Sequence, residues 1–251
     1  MNDNKDKVSI YRRILKYPPF AVGKKTGAMQ IIHHTKNGKV VARAAEYVTT
    51  EDAEKLFCII YIAQKNNTVK AVNVNDKDFG DIIRVDVEIK DIKKLTNNHD
   101  ERSVLNSIYR LQNLSITYFE LERKKIASQI GIHPILKYSF KADTGVLTLF
   151  LDKNFYNACD NKALQIDIVK YSKLSATAKN LYTFIATNSG DVFTEDLLIE
   201  RVVIQTERKD NSQKLLKKAL NELKKEYIIK DFNITKKNKE RLISISSFNA
   251  N

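Results

Sequence analysis

Tryptophan is absent from this chain of 251 residues, and glycine (7), proline (3) and cysteine (2) are scarce. So little Gly and Pro excludes a collagen-like or long low-complexity section. It also leaves no phosphate-cradling loop: Gly23-Lys24-Lys25-Thr26 is the tail of that motif without its leading glycine. The two cysteines, Cys58 and Cys159, stand apart in helix-like contexts, which suits buried thiols better than a disulfide or a metal site. No apolar run approaches the ~20 residues that span a bilayer. Residues 1–7 are polar, with no apolar signal segment behind them. A cytoplasmic protein without membrane contact is expected.

Histidine is scarce too. His33 and His34 are adjacent, so on a strand they face opposite ways, while His99 and His133 are isolated. A metal-dependent DNA nickase needs two histidines on one face, so that chemistry is not expected. Nor is there a nucleophile elbow. The chain reads as a non-enzyme without cofactor or metal.

Positive charge is what the chain has in excess, with a formal net of +13. Residues 1–43 hold ten Lys or Arg against two Asp, whereas residues 44–251 hold 33 against 28. A basic segment ahead of a near-balanced body suits a polyanionic partner. Within residues 1–45, the stretches 29–32 and 40–43 predict a hairpin, with Asn37-Gly38 at its turn. Lys24, Lys25, Lys36 and Lys39 are the expected arm contacts to that partner.

The body carries one plan twice. Ala53-Glu54-Lys55-Leu56-Phe57 opens an apolar helix, capped by Thr49 or Thr50. Ala178-Lys179-Asn180-Leu181-Tyr182 lies in a second, expected over 172–187. Each is followed by a short helix and a longer one. Val104, Ile108 and Leu111 mark the first long helix, expected over 101–113. Leu216, Leu220 and Leu223 mark the second, expected over 213–225 behind an Asp210–Ser212 cap; the spacing repeats at an offset of 112. Hairpins follow, at 136–151 and 227–246. Helix, short helix, long helix and hairpin is the order of a winged helix-turn-helix. The expected fold is therefore α+β, two tandem winged helices: 46–151 and 171–251, joined by a connector, 152–170.

A reading helix buries one stripe and offers the other to the major groove. In the first unit the expected outer set is Arg102, Ser103, Asn106, Ser107 and Arg110, with Asn113 beside them. In the second it is Gln213, Lys214, Lys217, Lys218, Asn221, Lys224 and Lys225. Lys236, Lys237, Lys239 and Arg241 cluster at the second hairpin, as a wing gripping phosphates would.

The order of elements resembles the iteron-binding replication initiators of theta-replicating plasmids, over about residues 45–250. The resemblance is most specific where Leu149 to Phe155 precedes Tyr171-Ser172-Lys173-Leu174-Ser175 and then Ala178-Lys179-Asn180-Leu181-Tyr182. It implies binding to direct repeats in double-stranded DNA at a plasmid origin, melting of AT-rich DNA and recruitment of host replication proteins. It further implies a monomer–dimer equilibrium through the first unit. The N-terminal hairpin is no part of that pattern. A winged-helix transcriptional repressor on an inverted repeat, or a plasmid partition adaptor, would use the same parts.

Overall fold

The computed structural model describes residues 7–11, 18–22, 27–35, 37–72, 82–97, 100–122, 125–152, 163–188, 191–202, 208–237 and 240–247. Lys24, Lys25, Lys36, Lys239, His99, Cys159 and the expected short helix near Phe155 lie outside them. The described residues form seven helices and thirteen strands, an α+β fold whose sheets pair antiparallel throughout. None of these helices is long and apolar enough to cross a membrane.

The first core is built around α1, Thr50–Asn66, in which every residue from Ala53 to Ala63 is buried. A helix buried on all sides has to be covered on all sides, and its buried charges, Asp52, Glu54 and Lys55, have to be partnered. Its start is fixed by Asp52, whose carboxylate accepts the Thr49 N–H at 2.8 Å and the Thr49 hydroxyl at 3.2 Å. One cover is a four-stranded sheet of β4 (Val69–Val72), β5 (Ile82–Glu88), β9 (Val146–Asp152) and β8 (Ile135–Lys141), in that order. The others include α2 (Ile89–Leu95) and α3 (Glu101–Gln112), the latter capped by Asp100.

A further sheet joins β2 (Met29–Thr35), β3 (Gly38–Ala44), β6 (Ser115–Glu122) and β7 (Lys125–Ile132). The expected N-terminal hairpin is therefore no loose arm: β3 pairs with β6, and Met29, Ile31, Val40 and Ala42 lie in the core. Gly38, expected at the turn, lies in β3, where it pairs with Thr35. Gly38 is not at positive φ; it is demanded by closeness, since a Cβ there would lie 1.9 Å from the Phe119 carbonyl oxygen.

The second core contains α5 (Ala176–Thr187), β11 (Val192–Thr194), α6 (Glu195–Arg201), α7 (Lys209–Lys225), β12 (Ile229–Lys237) and β13 (Glu240–Ser247). Ahead of it lie β10 (Ala163–Asp167) and α4 (Ile168–Lys173). The helix expected over 172–187 is thus two. Glu222 takes both the N–H and the hydroxyl of Ser175 at 2.6 Å, and the Ser175 hydroxyl in turn accepts from Ala178, which restarts the helix. The long helix starts at Lys209, earlier than expected, and Ser212 is buried within it rather than capping it. Tyr227, expected in a strand, ends that helix at φ +55°.

The repeat is visible in topology. A strand, a seven-residue helix, a long helix and a hairpin recur, with sheet order β5-β9-β8 in one copy and β11-β13-β12 in the other. The first copy has β6 and β7 inserted between its long helix and its hairpin.

The two copies meet through equivalent helices. Glu54 on α1 and Lys179 on α5 occupy matching positions of the two opening motifs, 125 residues apart, and bond to each other at 2.6 Å. Both side chains are under 10% exposed. Burial pushes the Glu54 carboxyl above the usual range, although Lys179 pulls it down.

The N-terminal stretch straps this junction. β1 (Lys7–Tyr11), a strand not among the expected elements, pairs with β10. Phe20 packs edge-on to Phe57, and its carbonyl accepts from Asn180, which also reaches the Val202 carbonyl. The Pro18 carbonyl bonds to the buried ring of His33 at 3.0 Å, while His34, on the opposite face of β2, is exposed.

Candidate nucleic-acid interface

The long helices α3 and α7 bury corresponding stripes. Val104, Ser107, Ile108 and Leu111 are buried on α3; Leu216, Ala219, Leu220 and Leu223 are buried on α7. The offset is 112 at all four positions. The opposite stripes correspond as well. Arg102, Asn106, Tyr109 and Asn113 are exposed on one helix, and Lys214, Lys218, Asn221 and Lys225 on the other. Spacings of 4, 3 and 4 put each set on a single face.

Two expected members of the first set are turned inward. Ser107 is fully buried and accepts from the Lys55 ammonium at 2.9 Å. The signal was present in the sequence, because its counterpart on α7 is Ala219, a core residue. Arg110 is drawn back onto α1, where it grips Asp52 at 2.6 and 3.1 Å; that bond holds its guanidinium above the ordinary range. Ser103 is half-buried and takes a second bond from Lys55, at 3.2 Å. Lys55 is held against hydroxyls in a dry site, and burial lowers its pKa. Together, Asp52, Lys55, Ser107 and Arg110 fix the roll of α3 against α1. Tyr109, absent from the expected set, is 50% exposed.

On α7 the split is similar. Lys214, Lys217, Lys218, Asn221 and Lys225 are exposed. Lys224 is also exposed but reaches Asp231 at 2.8 Å, which keeps that carboxyl below the usual range. Gln213 is committed to Glu195 at 2.6 Å, and Arg241 approaches the other oxygen of Glu195 at 3.3 Å. Glu195 is nearly buried, at 3% exposure, so this three-residue link ties α6, α7 and β13. Thr194, Asp196, Lys209, Gln213, Lys236 and Arg241 line a cleft of about 640 Å³ between the start of α7 and the hairpin.

At the hairpin, Lys236 pairs with Arg241 and Lys237 with Glu240, and both lysines are exposed. Of the expected arm contacts, only Lys39 is described; its ammonium sits 5.1 Å above the Phe119 ring. A face with a helix rich in exposed ammonium groups, next to a basic hairpin, can neutralise a row of phosphates while amide side chains reach base edges.

No protein-family model matches this chain. No curated protein matches it either. Its fold is similar to a solved structure of domains 2 and 3 of RctB, with TM-score 0.62, 11% identity, and coverage of 94% of this chain and 98% of that one. A second structure of RctB domains 2–3, spanning residues 155–483, matches with TM-score 0.50 at 11% identity, covering 90% of this chain and 94% of that one. At such identity the likeness is one of fold.

Proposed function

We propose that this chain is a replication initiator: two winged-helix units that bind direct repeats in double-stranded origin DNA. The observation that carries the reading is the pair of matched exposed stripes on α3 and α7, each the polar face of a helix followed by a sheet hairpin. The likeness in fold to RctB domains 2–3, from an initiator of Vibrio chromosome II, supports the same reading. On this view α7 and its hairpin grip phosphates through Lys214, Lys217, Lys218, Lys225, Lys236 and Lys237. The more neutral α3 reads bases through Arg102 and Asn106. Binding promotes melting of AT-rich DNA and recruits host replication proteins in the cytoplasm, with a plasmid origin as the target. No catalysis by the chain itself is required.

A monomer–dimer equilibrium belongs to this reading. Among the described residues β7 is an edge strand that pairs with β6 alone, and it exposes Ile126 (59%) and Ile130 (51%). An exposed apolar edge is a template for another strand. Ile130→Lys should therefore leave the chain monomeric in sedimentation while one chain still fills each direct repeat. A repressor or partition adaptor on an inverted repeat would instead lose its site together with the dimer. That loss would count against the initiator reading.

A further inference from the structure

Half the surface of Tyr109 is in water, and among the described residues its ring has no aromatic or cationic partner and its hydroxyl no hydrogen-bond partner; its carbonyl accepts from the Asn113 backbone N–H and side-chain amide at 3.3 and 2.9 Å. It stands on the exposed stripe of α3, one turn beyond Asn106. Its counterpart on α7 is Asn221, so the one place where the first stripe carries a large apolar surface is matched by an amide on the second. Neighbouring residues pin this face outward: Ser107 and Ile108 are buried, and Arg110 is held by Asp52 at 2.6 Å.

We propose that Tyr109 is a specificity-determining residue that reads thymine, its ring covering the C5-methyl group in the major groove. This rests on the reading of α3 as a DNA-reading helix. In that groove the methyl is the only apolar mark on a base, and a flat ring is a surface suited to it. Asn106 lies three residues earlier on the same face, with Cβ atoms ~5–6 Å apart for such neighbours. An amide that pairs with adenine and a ring that covers thymine's methyl together read A·T steps. The second stripe, with Lys214, Lys218 and Lys225 around Asn221, has no apolar surface for this purpose. The two units thus differ in what they recognise, as well as in charge.

The test replaces each thymine of a bound repeat with deoxyuridine, which removes the methyl and nothing else. The full-length chain should lose about fourfold in affinity at one or two positions, the value of one buried methyl-sized group. Tyr109→Ala should lose a similar factor on thymine DNA and nothing further on uracil DNA. Tyr109→Phe should behave as the wild type. Sequence-specific binding that ignores uracil at every position, or a Tyr109→Ala chain that keeps the sensitivity, overturns the proposal and leaves the initiator reading standing. A wild-type chain without sequence preference overturns that reading itself. Loss of self-association in Tyr109→Ala, with uracil sensitivity intact, would assign the ring to a protein contact instead.

Discussion

Glu54→Ala should lower the stability of the whole chain by ~3–5 kcal/mol, because it strands the Lys179 ammonium in a dry interface. For a protein of this size that is roughly 6–20 °C in melting temperature, and differential scanning calorimetry would read it. The pair itself is no bargain: burial already pushes the Glu54 carboxyl upward against the pull of Lys179. Replacing both residues with methionine should therefore be neutral or stabilising. The reversed pair, Glu54→Lys with Lys179→Glu, should recover most of what either single change loses. If Glu54→Ala melted within a degree of the wild type, the two helices would not be in close contact, and the fixed junction between the units would be wrong.

On the proposed function, that junction would set the separation of the two DNA-reading helices. Two units that tumbled independently would read two half-sites at any spacing. Units joined by a buried ion pair, by Asn180 and by the strap at Phe20 can read only one.

The second large effect lies on α7. Changing Lys214, Lys218 and Lys225 together to alanine removes three exposed charges from one face without touching the core. If each meets a phosphate, the slope of log affinity against log salt should fall by about 2.7, which is about a hundredfold at 0.15 M salt. The loss should be the same on specific and random DNA, since phosphates carry no sequence. Fluorescence anisotropy over a salt series measures both quantities. A changed affinity with an unchanged slope would mean that these lysines act by some means other than counterion release.

Much of this architecture was legible in the sequence, for a physical reason. Apolar periodicity reports which face of an element is buried, so α1, α3, α7 and both hairpins could be placed from Leu, Ile and Val alone. Periodicity does not report partners. The hairpin over 29–44 carried a turn signal, but nothing local said that β3 would pair with β6, some 70 residues later. β1 alternates Val8 and Ile10 with Lys7 and Ser9 over only five residues, a pattern too short to name its partner, β10. Polar residues failed for the same cause. Ser107 and Arg110 were expected outward as polar side chains on a helix, yet Lys55 and Asp52, half a chain-unit away, draw them in. The match of the two copies carries one of these points, Ala219 opposite Ser107, and also the opposite charges at Glu54 and Lys179.

On the proposed function, α3 and α7 read one continuous site as a rigid pair. Hydroxyl-radical footprinting of the full chain on a selected repeat tests it most directly. Two protected zones are expected on one face of the duplex, about one helical turn (~10 base pairs) apart. Their spacing should stay constant across all bound repeats, with the zone assigned to α3 fading on Asn106→Ala. A single protected zone, or two zones whose spacing varies from site to site, would contradict it.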